Sequence, residues 1–124
     1  MLKRSKKSGF TLLELLIVVI IVSILAAVAL PRFGKMTRRA RSSEATVGIS
    51  SLLTAEALYY QEQSKFGKIA DLLVDVNTVN FGYVVTPNGS ITATVVATGK
   101  GTSNAGITVT GTIDNVGTRT ITSN

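Results

Sequence analysis

The chain has 124 residues, thirteen basic and seven acidic, for a formal net charge of +6. It contains neither cysteine nor histidine. That excludes a disulfide framework and a thiolate metal site, and removes the usual catalytic general base. Residues 1–9 form a basic stub that holds Lys3, Arg4, Lys6 and Lys7. Without these four, nine basic residues face seven acidic ones. The basicity therefore speaks for membrane topology, with the stub kept in the cytoplasm, more than for a nucleic-acid surface.

Residues 10–31 are apolar, with Thr11, Glu14 and Ser23 as the only polar side chains. As a helix these positions reach about 33 Å, close to the roughly 30 Å hydrocarbon thickness of a bilayer. The segment is predicted to span a membrane once. Glu14 is its odd member, because a carboxylate deep in a bilayer costs about 2.5–3.5 kcal/mol even on lenient scales. A cut after Gly9 would give Phe10 a free amine four residues before Glu14 and so supply a counter-charge. A competing processing site exists, since Ala27-Val28-Ala29 fits the small-x-small rule of an ordinary secretory signal. Cleavage there would release a soluble binding domain starting at Leu30, but leaves Glu14 without a use. Pro31 lacks an amide donor and crowds the preceding turn, so a helix kink is expected there.

Arg32, Lys35, Arg38, Arg39 and Arg41 follow with no acid among them. Four basic residues before the span and five after it leave the orientation undecided by charge alone. The run would suit anionic headgroups or DNA. Interfacial anchoring with salt bridges between subunits is the preferred reading, and nucleic acid is not indicated.

Residues 32–67 are predicted to continue as an amphipathic helix. Ala45, Ile49, Leu52, Leu53, Ala57 and Tyr60 recur at helical spacing, with Arg38, Arg41, Ser42, Glu44, Ser51 and Glu62 on the polar side. Gly67 is the predicted stop. Residues 68–124 are predicted as a loop, with a helical turn near Ile69–Leu73, followed by an antiparallel sheet of four strands. The strands expected are Phe81–Thr86, Ile91–Thr98, Gly106–Ile113 and Gly117–Thr122, rich in Val, Ile and Thr at a period near two. Pro87-Asn88-Gly89 and Gly99-Lys100-Gly101 read as turns, with Asn-Gly the favoured two-residue hairpin loop. Asn88-Gly89-Ser90 also matches a glycosylation sequon, which the turn reading outweighs. Asp71 and Asp75 have no further carboxylates at ligand spacing, so neither a metal nor another cofactor is expected. The fold class is α+β, one long N-terminal helix packed on a small sheet, and no catalytic constellation is visible.

Gly9-Phe10-Thr11-Leu12-Leu13-Glu14, placed between a basic stub and an apolar run, resembles the class III leader of type IV pilins and pseudopilins. The resemblance covers nearly the whole chain, specific in the N-terminal motif and architectural beyond it. It implies cleavage after Gly9 by a prepilin peptidase, which also methylates the new amine of Phe10. It implies that Glu14 pairs with the N-terminal amine of a neighbouring subunit, against the alternative of a pair within one chain at i and i+4. It further implies a precursor held as a single-pass protein of the inner membrane, leader inside. An assembly platform in that membrane would then add it to a homo-oligomeric helical filament on the cell surface. A type II secretion pseudopilin is the nearest alternative, and the resemblance implies no enzyme.

Overall fold

The structure is a computed structural model that describes residues 9–76 and 78–124. Its main helix, α1, covers Leu12–Gln63. The chain divides into two compact units, the first up to Met36 and the second Thr37–Asn124.

The first unit is the apolar part of α1. Its helical assignment continues through Pro31. Its Leu, Ile and Val side chains are all exposed, Leu12 at 84% and Ile17 at 49% marking the range among those up to Ile24. The best 18-residue window reaches a mean hydropathy of 3.0, so the helix is long and apolar enough to cross a membrane.

The second unit packs the rest of α1 on a sheet of strands β1 (Phe81–Asn88), β2 (Thr92–Gly99), β3 (Thr108–Asp114) and β4 (Arg119–Ser123). The strands follow one another in order and every neighbouring pair is antiparallel. Alternation sends Phe81, Tyr83 and Val85 of β1, Ala93, Val95 and Ala97 of β2, and Val109 and Ile113 of β3 into the core. They meet Ala45, Ile49, Leu52 and Leu53 of α1, all fully buried. Small residues let the helix come close. Gly111 lies in register between Val95 and Ile121, and a Cβ there would overlap Ile49 Cγ2 and crowd Leu53. Phe66, Leu72 and Ile107 close the edges of this core, with the Phe66 ring centroid 4.7 Å from that of Tyr60.

The apolar face predicted on α1 is therefore the one buried, with Ala57 and Tyr60 at its partly covered margin. Several boundaries move. The helix ends at Gln63, not at Gly67, and the left-handed residue after it is Ser64 at φ 53°. The helical turn near 69 is a 3₁₀ turn, Ile69–Asp71, shorter than expected. Strand β1 continues through Pro87 to Asn88. It is an edge strand, so the missing proline amide removes no ladder bond. The β1–β2 turn is consequently centred on Gly89 and Ser90, closed by the Ile91 amide donating to the Asn88 carbonyl at 3.4 Å, rather than on Asn88-Gly89. Gly106 (φ 73°) and Gly117 (φ 92°) belong to turns, not to strands β3 and β4. Their left-handed backbone cannot continue a ladder, which starts at Thr108 and Arg119.

Candidate assembly and processing site

Gly9 and Phe10 precede the helix, and Phe10 is 80% exposed. Thr11 is the last residue before the first helical position, Leu12. A helix start leaves amide donors unpaired, and a Thr-x-x-Glu sequence can occupy two of them reciprocally. That is the geometry here. The Glu14 amide donates to Thr11 Oγ1 at 3.2 Å, while the Thr11 amide donates to Glu14 Oε2 at 2.9 Å. The Thr11 hydroxyl also donates to Glu14 Oε2, at 3.0 Å. The carboxylate is thus folded back over the helix N-terminus, where the helix dipole favours a negative charge.

The sequence offered a signal for this arrangement, since Thr11-x-x-Glu14 followed by an apolar run is a capping-box pattern. The reading of Glu14 as a partner for an amine passed over it. In the chain, the nitrogen of Phe10 stands one residue before an amide already bonded to that carboxylate. Ser23, the remaining polar side chain of the apolar run, donates its hydroxyl to the Val19 carbonyl at 2.7 Å. All three polar side chains of the segment hence have hydrogen bonds within the chain, which is what lipid or a dry filament interior demands. Pro31 can donate nothing to the carbonyl one turn before it, so the backbone ladder is weakest there.

The basic run behaves less uniformly than its composition suggested. In the second unit, Arg38 donates to the Gly106 carbonyl at 2.8 Å and Arg41 to the Ser103 carbonyl. Both therefore tie the β2–β3 loop to α1, Arg41 half-buried and Arg38 exposed. Asn104 of the same loop is buried and donates to the carbonyls of Lys100 at 3.1 Å and Asn80 at 3.3 Å. Asn80 in turn donates to the Glu44 carboxylate.

A buried acid went unnoticed in the sequence. Glu56 is fully buried on the core face of α1 and accepts the Gly67 amide at Oε2, 3.0 Å. Burial raises its pKa; the Gly67 hydrogen bond opposes that shift, and the nearby Asp71 charge adds to it. The signal was its position, four residues after Leu52 on the apolar stripe. Asp71 accepts the Lys68 amide at 2.8 Å, and among the described residues no group of three or more potential metal ligands converges.

Residues 4–30 match the family model described as the prokaryotic N-terminal methylation motif. The chain is 41% identical over 66 residues to the type IV major pilin protein PilA of Myxococcus xanthus, covering 53% of this chain and 30% of that one. It is 37% identical over 99 residues to a type IV major pilin protein PilE1 of Neisseria gonorrhoeae, covering 75% and 60%. The chain thus spans between about a third and three fifths of the length of these two relatives. Against the fimbrial protein EcpC of Eikenella corrodens it is 36% identical over 125 residues, covering 86% of this chain and 81% of the relative. A methylation-motif match at the N-terminus, pilin relatives and a long helix on an antiparallel sheet agree, and the chain belongs to the type IV pilin family.

Proposed function

We propose that the chain is a structural subunit of a type IV pilus-like filament. The observation that carries this reading is a methylation-motif helix whose apolar half is exposed along its whole length. Such a surface suits lipid before assembly and neighbouring helices after it. Helices in lipid gain little from hydrophobicity and associate by close packing, for which Ala26, Ala27 and Ala29 leave room. The relatives compared are pilins and fimbrial proteins, which favours a pilus over a secretion pseudopilin.

In this reading the precursor sits in the inner membrane with its basic stub inside. A prepilin peptidase cuts after Gly9 and methylates Phe10, and an inner-membrane platform adds the product to the filament. Glu14 then exchanges part of its capping role for an ion pair with a Phe10 amine. Two unpaired ions in low dielectric are expensive, and the pair recovers part of that cost only in the register that joins them. Pro31 is the place where the helix bends to fit its neighbours. The chain acts through assembly, not catalysis.

Intact-mass and N-terminal analysis of sheared surface fibres tests the reading. A methylated Phe10 start is expected; a soluble chain starting at Leu30 would overturn it. Glu14→Ala should still be cut after Gly9, yet yield few or no fibres. Wild-type fibre levels from that variant would remove the ion pair from the mechanism.

A further inference from the structure

The second unit carries an open groove of about 370 Å³ that the filament-core helix does not explain. Its apolar floor and wall include Leu58, more than half exposed, and Leu73, fully exposed on the loop after the 3₁₀ turn. Among the described residues, Glu62 and Asp71 are its charged lining residues, and both are exposed. Neither Lys65 nor Lys68 lines it. An occupant must therefore bring apolar side chains together with positive charge.

The chain itself contains a segment of that chemistry. Once Arg38 and Arg41 are assigned to the β2–β3 loop, Arg32, Lys35 and Arg39 remain exposed, at sequence spacing of three and four residues. Met36 lies beside them, 66% exposed. No acid occurs between Arg32 and Ser43. Basic side chains around a flexible apolar knob match an acid-rimmed apolar groove in both terms of the interaction. Methionine fits irregular apolar surfaces well.

We propose that the groove of one copy receives the Arg32–Arg39 face of a second copy, forming a contact between subunits separate from the apolar helix core. The proposal rests on the filament reading above. It assigns the basic run after the span to protein rather than to lipid headgroups. It also gives a reason for Leu73, an apolar side chain that the isolated fold leaves wholly in water.

The absence of cysteine in the chain makes the test direct. Full-length Met36→Cys and Leu73→Cys variants are produced together in cells lacking another pilin, and sheared filaments are treated with a short thiol-specific cross-linker. A covalent dimer is expected only when both variants are present, with each alone remaining monomeric. Normal filaments without that dimer would overturn the contact while leaving the pilus reading intact. Absence of filaments from the unmodified chain would instead overturn the pilus reading, and this contact with it. A cross-link from Leu73→Cys to a different protein would also overturn it. In a second arm, Glu62→Lys with Asp71→Lys should lower the dimer yield about three- to tenfold, the scale of one or two exposed ion pairs. Adding Lys35→Glu and Arg39→Glu to the partner copy should recover it. Yields that ignore both reversals would show that charge does not guide the docking.

Discussion

One helix carries two surfaces with opposite needs. From Phe10 to Met36 every large side chain is exposed and most are aliphatic. From Thr37 the buried face, Ala45 through Leu53, meets the sheet, while serine and threonine line much of the outer face between Ser42 and Thr54. Those hydroxyls satisfy themselves: Ser43, Thr46, Ser50, Ser51 and Thr54 each donate to the carbonyl four residues earlier, at 2.9 to 3.2 Å. The second half thus hides its core face and pairs its hydroxyls, leaving Val47 and Leu58 as its exposed large apolar side chains, whereas the first half is complete only against lipid or other copies. Burial in the second half stabilises the fold of one chain. The same kind of residue in the first half can act only through assembly.

The widest test of this contrast is a matched pair of truncations. Leu52→Ala removes a fully buried side chain and should cost the second unit about 2–5 kcal/mol, seen as a large fall in melting temperature. Leu16→Ala removes a half-exposed one and should leave that melting temperature unchanged while lowering fibre yield. Equal thermal effects from the two would break the distinction. A smaller effect comes from closeness of packing. Gly111→Ala puts a methyl group against Ile49 and should cost about 1–3 kcal/mol by overpacking. Combining it with Ile49→Val should recover part of that loss, which a purely conformational effect of the glycine would not allow.

These contrasts were only partly written in the sequence. The helical stripe from Ala45 to Leu53 and the period-two runs of Val, Ile and Thr announced the α+β architecture and its core, because burial imposes those periods directly. Element ends were less legible. Proline and glycine mark possible turns, but tertiary pairing decides which ones are used. Pro87 stays in β1, which has a free edge, and Ser64 rather than Gly67 takes the left-handed backbone after the helix, while the Gly67 amide is bound by Glu56. In the N-terminal motif, Glu14 stood out by its charge, while its bonds to Thr11 lay in a spacing that also had a simpler meaning. The groove beside Leu73 is assembled from the end of α1 and the loop after the 3₁₀ turn, and no single local pattern foretells it.

Glu56 sharpens the contrast by placing a charge problem inside the second half. Its folded pKa is raised above the usual 4.5. The unfolded chain then binds fewer protons than the folded one in the window above 4.5, so this group's contribution to stability falls as pH rises through it. Glu56→Gln, which keeps an acceptor for the Gly67 amide, should raise the melting temperature at pH 7. The gain should shrink towards pH 4, where the wild-type acid is itself neutral. A gain independent of pH would mean that packing, not charge, carries the effect.

The smallest expected effect lies at the far edge of the sheet, where β4 is exposed throughout and contributes nothing to the core. Its turn depends on Asp114, whose Oδ1 accepts the amides of Thr118 at 2.7 Å and Val116 at 3.0 Å. The Thr118 hydrogen bond leads in holding the Asp114 pKa below the usual 3.8, with Val116 and Gly117 assisting. Its sign is opposite to that of Glu56: the contribution is present above 3.8 and is lost as pH falls through the depressed value. Asp114→Ala should therefore loosen β4 at pH 7, with faster amide exchange at Thr120 and Thr122 and little change in the melting of the unit as a whole. Asp114→Asn keeps the acceptor without the charge and should retain most of the protection. Because α1 does not rely on β4 for its buried face, exchange within Ala45–Leu53 should stay slow in both variants. If it quickened together with β4, the sheet edge and the helix core would open as one unit. The division between surfaces that fold the chain and surfaces left for assembly would then have to be redrawn to include β4.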